Sequence, residues 1–118
     1  MAVERRQFPR ASIMCKISTI FGERLLVFHS HTENVGVGGV RVILEEKLHI
    51  ATEVRVELFL HHRDNPLTCK GQVAWVREML PVGTVPRLFD TGIKFTDVPE
   101  AEQEELKKLV NSLISEGR

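Results

Sequence analysis

The sequence predicts an all-β fold with one helix, in which six short strands form an antiparallel sheet that closes, or nearly closes, on itself. Two observations predict it. Apolar and polar residues alternate over short runs separated by turn-forming residues, which is the period of half-buried strands. A single segment with helical apolar spacing comes last in the chain, where a helix can cover an end or a face of the sheet.

Six runs have the composition and alternation of strands, and they span residues 11–20, 25–31, 40–44, 53–60, 68–77 and 87–95. The predicted apolar faces of the first and fourth runs consist of Ile13, Cys15, Ile17, Thr19, Val54, Val56, Leu58 and Leu60. Turns are predicted at Gly22, at the glycine-rich run 34–39 and at 64–66. In the fifth run, Val73 and Trp75 alternate with their neighbours and are expected on one face.

The last segment has the signals of one amphipathic helix. Pro99 opens it, acidic residues concentrate in its first half, and Lys107 and Lys108 follow, a distribution that complements the helix dipole. One apolar face collects Leu106, Leu109, Val110, Leu113 and Ile114. The chain length fits a single domain. Its predicted parts are a flexible arginine arm at 1–10, a barrel at 11–97 and a helix at 99–116.

The charge balance excludes a general attraction for nucleic acid. Sixteen basic residues offset sixteen acidic ones, so the molecule has no net field for a long polyanion, and we expect no DNA or RNA partner. The local charge is uneven, because the first ten residues contain three basic residues, Arg5, Arg6 and Arg10, and one acidic residue, Glu4. The N-terminal segment is therefore the better candidate for binding a small anion.

The cysteines and the hydropathy predict a reduced, cytoplasmic protein. Cys15 and Cys69 lie far apart and form no CxxC pair, so neither a disulfide framework nor a thiolate metal site is indicated. The N-terminus has no apolar signal-peptide stretch, and no run approaches the roughly 18 apolar residues needed to cross a bilayer. We therefore expect no membrane insertion.

Two short segments carry the candidate binding chemistry. Arg5-Arg6-Gln7-Phe8-Pro9-Arg10 places three guanidiniums before the first strand, and guanidinium pairs bidentately with phosphate or with guanine O6 and N7. Asn34-Val35-Gly36-Val37-Gly38-Gly39 combines an amide with three glycines that leave backbone N–H groups unshielded. Taken alone, the first segment is more often a solvated tail and the second more often a bulge or a hairpin.

Together, the two segments resemble the signature motifs of the PilZ family, RxxxR and then [DN]xSxxG. Here the motifs are Arg6 to Arg10 and, about two dozen residues later, Asn34 to Gly39. The run GQVAW at 71–75 is similar to the family's GxVxW strand, and TGIKF at 91–95 is similar to its GxxF strand. The resemblance covers nearly the whole chain, and its specificity comes from finding four short motifs in the family's order.

The resemblance implies a six-stranded β-barrel with a C-terminal helix, which binds the bacterial second messenger cyclic di-GMP on its surface under the arginine arm. It implies that Arg6 and Arg10 hold phosphate and guanine, and that Arg5, which precedes the motif, also takes part. Asn34 would contact the guanine edge. Gly39 would keep the turn open.

Gly36 departs from the family pattern, which has serine at this position. A typical net hydrogen bond contributes about 0.5–1.5 kcal/mol, so the missing hydroxyl should weaken binding by roughly tenfold or less. Gly36 also supports an alternative, in which a PilZ-like domain has lost nucleotide binding and serves only as a protein-interaction module. The resemblance also implies that Trp75 lies near the bound ligand, although core packing is the more common fate of a tryptophan.

The favoured function is an adaptor without catalytic activity, which relays cyclic di-GMP levels to an unidentified protein partner or to a second copy of itself. A third hypothesis is a small metalloenzyme, because His29 and His31 share a strand face. The positions that would complete a metal-binding run hold Glu33 and Asn34 instead. No nucleophile-elbow pattern is present. The sequence therefore predicts neither a catalytic residue, a metal nor a cofactor.

Overall fold

The computed structural model describes residues 13–80, 83 and 87–116, and within them it has six strands and one helix. The elements are β1 (Met14–Phe21), β2 (Arg24–Val35), β3 (Gly39–Leu44), β4 (Glu53–Leu58), β5 (Leu67–Met79), β6 (Leu88–Asp97) and α1 (Glu100–Glu116). The predicted order of six strands followed by a helix is confirmed.

The strands form a closed antiparallel barrel in the order β1-β2-β3-β6-β5-β4. Each strand is hydrogen-bonded to a neighbour on both sides, and the first strand pairs with the fourth to complete the ring. Closure removes the unpaired edges that an open sheet would present to other chains. The predicted barrel is therefore confirmed.

Side chains that point into the barrel form the core. The predicted apolar faces of the first and fourth runs are buried, because Ile17, Val56 and Leu58 are fully enclosed and their sequence neighbours point to solvent. The interior is filled by residues from every strand, so it is a packed core. The alternation in the sequence and the burial in the structure thus have the same period of two.

The second strand is longer than the sequence predicts. It runs to Val35, so Asn34 lies in the strand, opposite Arg41, and the strand register shifts between Thr32 and Asn34. The turn consists of residues 36–38 alone and is closed by a hydrogen bond of 2.9 Å from Gly36 N–H to the Gly39 carbonyl. The prediction of a turn over 34–39 was too wide, because a buried Val35 next to glycine gives no local sign that pairing continues.

A β-bulge in β5 separates two residues that were expected on one face. Val73 pairs with Ile93 and Trp75 pairs with Gly92, so two steps along β5 match one step along β6. The extra residue, Ala74, reverses the alternation beyond this point. Val73 is buried, whereas Trp75 is 41% exposed on the outside of the barrel. The prediction of a shared face was therefore wrong.

The helix packs its apolar face on the barrel, as predicted. Leu106 is buried, and the residues beside it that pack against the core are Leu109, Val110 and Leu113; the side chain of Ile114 lies outside the described part. Arg63 donates to both carboxylate oxygens of Glu102, at 3.0 and 3.2 Å, and links the loop after β4 to the helix. In the described part of the chain, no helix is long and apolar enough to cross a membrane.

Asp90 joins three strands on the outside of the barrel. Arg41 of β3 donates from Nε to Oδ1 at 2.8 Å, and Arg77 of β5 donates from Nη2 to Oδ2 at 2.9 Å. The Asp90 side chain is only 1% exposed. Burial is the largest single influence and raises the pKa of Asp90, but the hydrogen bonds and charges of the two arginines together lower the pKa below its ordinary value.

We expect Asp90→Asn to lower the free energy of unfolding at pH 7 by about 1–3 kcal/mol, because two charge-assisted hydrogen bonds weaken. A depressed pKa in the folded state means that the contribution is present above the unfolded pKa of about 3.9 and is lost as the pH falls through the folded value. The difference between the parent and the variant should therefore shrink in acid.

Denaturant unfolding of both proteins from pH 7 down to about pH 3 measures this difference. Asp64→Asn is the matched control, because Asp64 is exposed and forms no ion pair within the described residues. A difference that stays constant over the whole range would show that ionisation of Asp90 does not stabilise the fold.

Candidate functional site

A groove of about 340 Å³ lies on the outer face of β3, β6 and β5, beside the turn at 36–38. Four of the predicted site residues line it together, namely Asn34, Gly36, Gly39 and Trp75. The lining also includes Arg41, Gly92 and Lys94. The glycine-rich segment and the GxVxW segment, which lie far apart in the sequence, therefore meet in one place.

The turn presents little side-chain bulk to the groove. A Cβ atom added at Gly36 would have no other heavy atom closer than 4.0 Å, and one added at Gly38 would have none within 4 Å. Neither residue has a positive φ, since the glycines of the described segments that do are Gly22 and Gly83. A side chain at position 36 would therefore meet neither a steric nor a conformational barrier.

Gly39 has a different reason to be glycine. It lies in β3, opposite Lys94, and a Cβ atom there would overlap the carbonyl oxygen of Ile93 and approach the Lys94 Cα to 3.1 Å. The missing side chain is needed for the contact between β3 and β6. Gly39 was expected to keep the turn open. The structure places it in β3, directly after the turn.

Trp75 lies across Gly92 on the outer face of the sheet. A Cβ atom added at Gly92 would overlap the indole Cε2 and Nε1 atoms and reach Cδ1 at 2.8 Å. The glycine thus lets the ring lie close against the strand, while a substantial part of the ring stays exposed. An exposed indole held in this way can stack on a flat base.

The groove carries positive charge from residues that the sequence reasoning did not single out. Arg41 and Lys94 both line it, and Asp90 holds the Arg41 guanidinium. The hydrogen bond to Asp90 is the main cause of a raised pKa of Arg41. The sequence did contain a signal for Arg41, because this residue lies two positions after Gly39 and therefore shares its strand face.

The predicted arm residues Arg5, Arg6 and Arg10 lie outside the described residues. The first described residue, Ile13, lies beside β2, since its N–H donates to Thr32 Oγ1 at 3.2 Å and its carbonyl accepts from the Thr32 N–H at 2.9 Å. Thr32 is two residues before Asn34. The described chain therefore starts near the Asn34 end of the groove.

A larger groove of about 1010 Å³ lies over β1, β4 and β5 and includes none of the predicted site residues. Its charged side chains include Lys16 and Glu57, which pair with each other at 3.3 Å. This groove lacks a stacking aromatic ring among its lining residues. The smaller groove is the better candidate site because its aromatic, amide and guanidinium groups converge.

The alternative chemistries have little support in the described part of the chain. His29 and His31 are both exposed on β2, and the described residues contain no group of three or more His, Cys, Asp or Glu side chains placed to hold a metal. Burial raises the pKa of Cys15 and of Cys69 to about 11. Both thiols are therefore protonated at neutral pH and are poor nucleophiles.

Comparison with solved structures shows which proteins share the fold. The PilZ domain of Escherichia coli YcgR, solved with c-di-GMP, matches with a TM-score of 0.66 and 15% identity over 93% of this chain and 87% of that one. K. pneumonia MrkH in its apo state matches with a TM-score of 0.69 and 14% identity over 90% of this chain and 48% of that one. The chain thus spans about half of MrkH.

A further MrkH structure, described as a c-di-GMP dependence transcription regulatory factor, matches with a TM-score of 0.67 and 12% identity over 87% of this chain and 46% of that one. A sequence search of curated proteins found no match. The family model of the PilZ domain matches residues 4–112. Because that match spans almost the whole chain, this protein belongs to the PilZ domain family.

Proposed function

We propose that this protein is a non-catalytic receptor for cyclic di-GMP and that the ligand binds in the groove on β3, β6 and β5. The observation that carries the proposal is the meeting of the glycine-rich motif with an exposed tryptophan and an arginine in one groove. Membership of the PilZ family supports it, as does the solution of the similar YcgR domain with c-di-GMP.

The groove offers groups that suit the parts of a cyclic dinucleotide. The exposed indole of Trp75 stacks on one guanine base. The amide of Asn34 donates to and accepts from the polar edge of that base. The turn glycines Gly36 and Gly38 let the sugar-phosphate ring approach the backbone closely, because neither has a side chain that fills the space.

The arginine arm completes the site in this proposal. Arg6 and Arg10 hold phosphate and guanine, and Arg5 adds positive charge. Arg10 is three residues before Ile13, and three extended residues span about 10 Å, so the arm can reach the groove from beside Thr32. Residues 1–10 then act as a separate functional part, which folds over the ligand bound to the barrel.

The output of the receptor goes to another protein. Ligand and arm together form a surface that differs from that of the free protein, and a partner that binds this surface better responds to the second messenger. The partner is an unidentified protein or a second copy of this chain, in the bacterial cytoplasm. The alternative is a PilZ domain that serves only as an interaction module, and its specific support is Gly36 in the serine position.

Removing either motif arginine should weaken binding strongly. Loss of one partner from a buried, hydrogen-bonded charge pair costs about 2–5 kcal/mol, so Arg6→Ala and Arg10→Ala should each lower cyclic di-GMP affinity about 30-fold or more. The midpoint of thermal unfolding without ligand should barely change. Calorimetric titration measures affinity, and Arg24→Ala, at an exposed arginine outside the groove, is the control. Unchanged binding by both variants would reduce the arm to a solvated tail.

The receptor should prefer cyclic di-GMP over cyclic di-AMP by about tenfold or more. Guanine presents O6 and N7 as paired acceptors, whereas adenine places an amino donor beside N7 and repels a guanidinium there. Competition binding with both nucleotides measures the preference. Equal affinities would remove the guanine-reading role of the arginines.

Gly36→Ser should strengthen cyclic di-GMP binding about 2- to 10-fold, because it restores one hydroxyl at a position with open space and an ordinary φ. Gly38→Ser is the matched control, since position 38 is equally open and the family pattern has no serine there. Titration of both variants is compared with the parent. Weaker binding by Gly36→Ser with unchanged folding stability would contradict a ligand contact at this position.

A further inference from the structure

We propose that Arg41, held by the buried carboxylate of Asp90, reads the edge of the guanine that stacks on Trp75, an inference that rests on the proposed function above. Arg41 lies outside the two sequence motifs, in the strand that follows the second one. It lines the same groove as Asn34 and Trp75.

The barrel places Arg41 and Trp75 on either side of one residue. Gly92 of β6 pairs with Arg41 on β3 and with Trp75 on β5. Neighbouring strands are about 4.8 Å apart, so the two Cα atoms are separated by about 10 Å. A base stacked on the indole presents its edge towards β3 at a distance that an arginine side chain can span. The indole lies over Gly92, so the ring itself extends from β5 towards β3.

Asp90 fixes Arg41 in a way that leaves the two terminal guanidinium nitrogens available. The contact uses Arg41 Nε, at 2.8 Å from Asp90 Oδ1, and within the described residues no hydrogen bond involves its two terminal nitrogens. Those nitrogens can donate a parallel pair of hydrogen bonds, which matches guanine O6 and N7. Because the carboxylate already orders the side chain, less conformational entropy is lost when the ligand binds.

The charge of the cluster also suits an anionic ligand. One carboxylate is shared by two guanidiniums, so Arg41, Arg77 and Asp90 together carry one net positive charge. Lys94 adds another in the same groove. Glu33 is near enough to Arg41 to raise its pKa and offsets part of this charge. A positive potential therefore remains where the dinucleotide binds.

Arg77 provides a close internal comparison. It binds the other oxygen of Asp90 at 2.9 Å but does not line the groove, and its side chain is 72% exposed. Arg41 and Arg77 thus share one partner and one kind of bond. They differ in whether the guanidinium lies beside the base, so a comparison of the two separates ligand contact from support of the sheet.

The test is calorimetric titration of cyclic di-GMP and cyclic di-AMP into the parent, Arg41→Ala, Arg41→Lys and Arg77→Ala. Arg41→Ala should weaken cyclic di-GMP binding about tenfold or more, with a smaller loss for cyclic di-AMP, so that the selectivity falls. Arg41→Lys keeps the positive charge but lacks the paired guanidinium donors, so it should recover little of the preference for cyclic di-GMP. Arg77→Ala removes a charge outside the groove, so it should weaken binding of both nucleotides by the same factor, about threefold or less, and leave the selectivity unchanged.

Each other outcome is informative. If the parent binds cyclic di-GMP and Arg41→Ala keeps its affinity and selectivity, this inference is overturned and the proposed function stands. If Arg41→Ala weakened binding of both nucleotides equally, Arg41 would contact phosphate and the inference would be overturned. A loss of cyclic di-GMP affinity in Arg77→Ala as large as that in Arg41→Ala would overturn it as well. No binding by the parent overturns both proposals. Thermal unfolding checks each variant, and Arg41→Lys carries the comparison if Arg41→Ala fails to fold.

Discussion

Closure of the antiparallel hydrogen-bond ladder is the constraint on which the rest of the structure depends. Six strands make a narrow ring, and the buried side chains of all six fill its interior. A ligand as large as a dinucleotide therefore has no space inside. Any binding surface must be built from the side chains that point outwards, and the alternation along each strand decides which residues those are.

The outer face becomes a groove because two of its residues are glycines. Each position requires glycine for a different reason. At Gly39 the backbone of β6 occupies the space that a side chain would need, and at Gly92 the indole of Trp75 does. The turn glycines 36 and 38 meet no such neighbour. The same residue type thus serves strand packing and placement of an aromatic ring, and it leaves the turn open, within one small region.

The sequence predicted the features that depend on local period, and it missed those that depend on partners distant in the chain. The buried faces of β1 and β4 and the apolar side of α1 follow from spacing alone. The bulge at Ala74 does not, because one extra residue changes the register without changing composition. Asp90 pairs with Arg77, which is 13 residues away in the sequence, and with Arg41, which is 49 residues away, and no local pattern connects these positions. The motif resemblance assigned Asn34 and Trp75 to one ligand site, and the structure brings both to one groove, which periodicity alone does not predict.

The bulge divides β5 into two parts that differ in which residues point inwards. Up to Val73, alternate side chains of the strand fill the interior, and from Trp75 onwards the alternation is shifted by one residue. If Ala74 were an ordinary strand residue without the bulge, the alternation that starts at Val73 would point Trp75 into the barrel and Val76 outwards. One irregular residue therefore decides whether this strand presents an indole on the outside of the barrel, with the sequence of the strand unchanged.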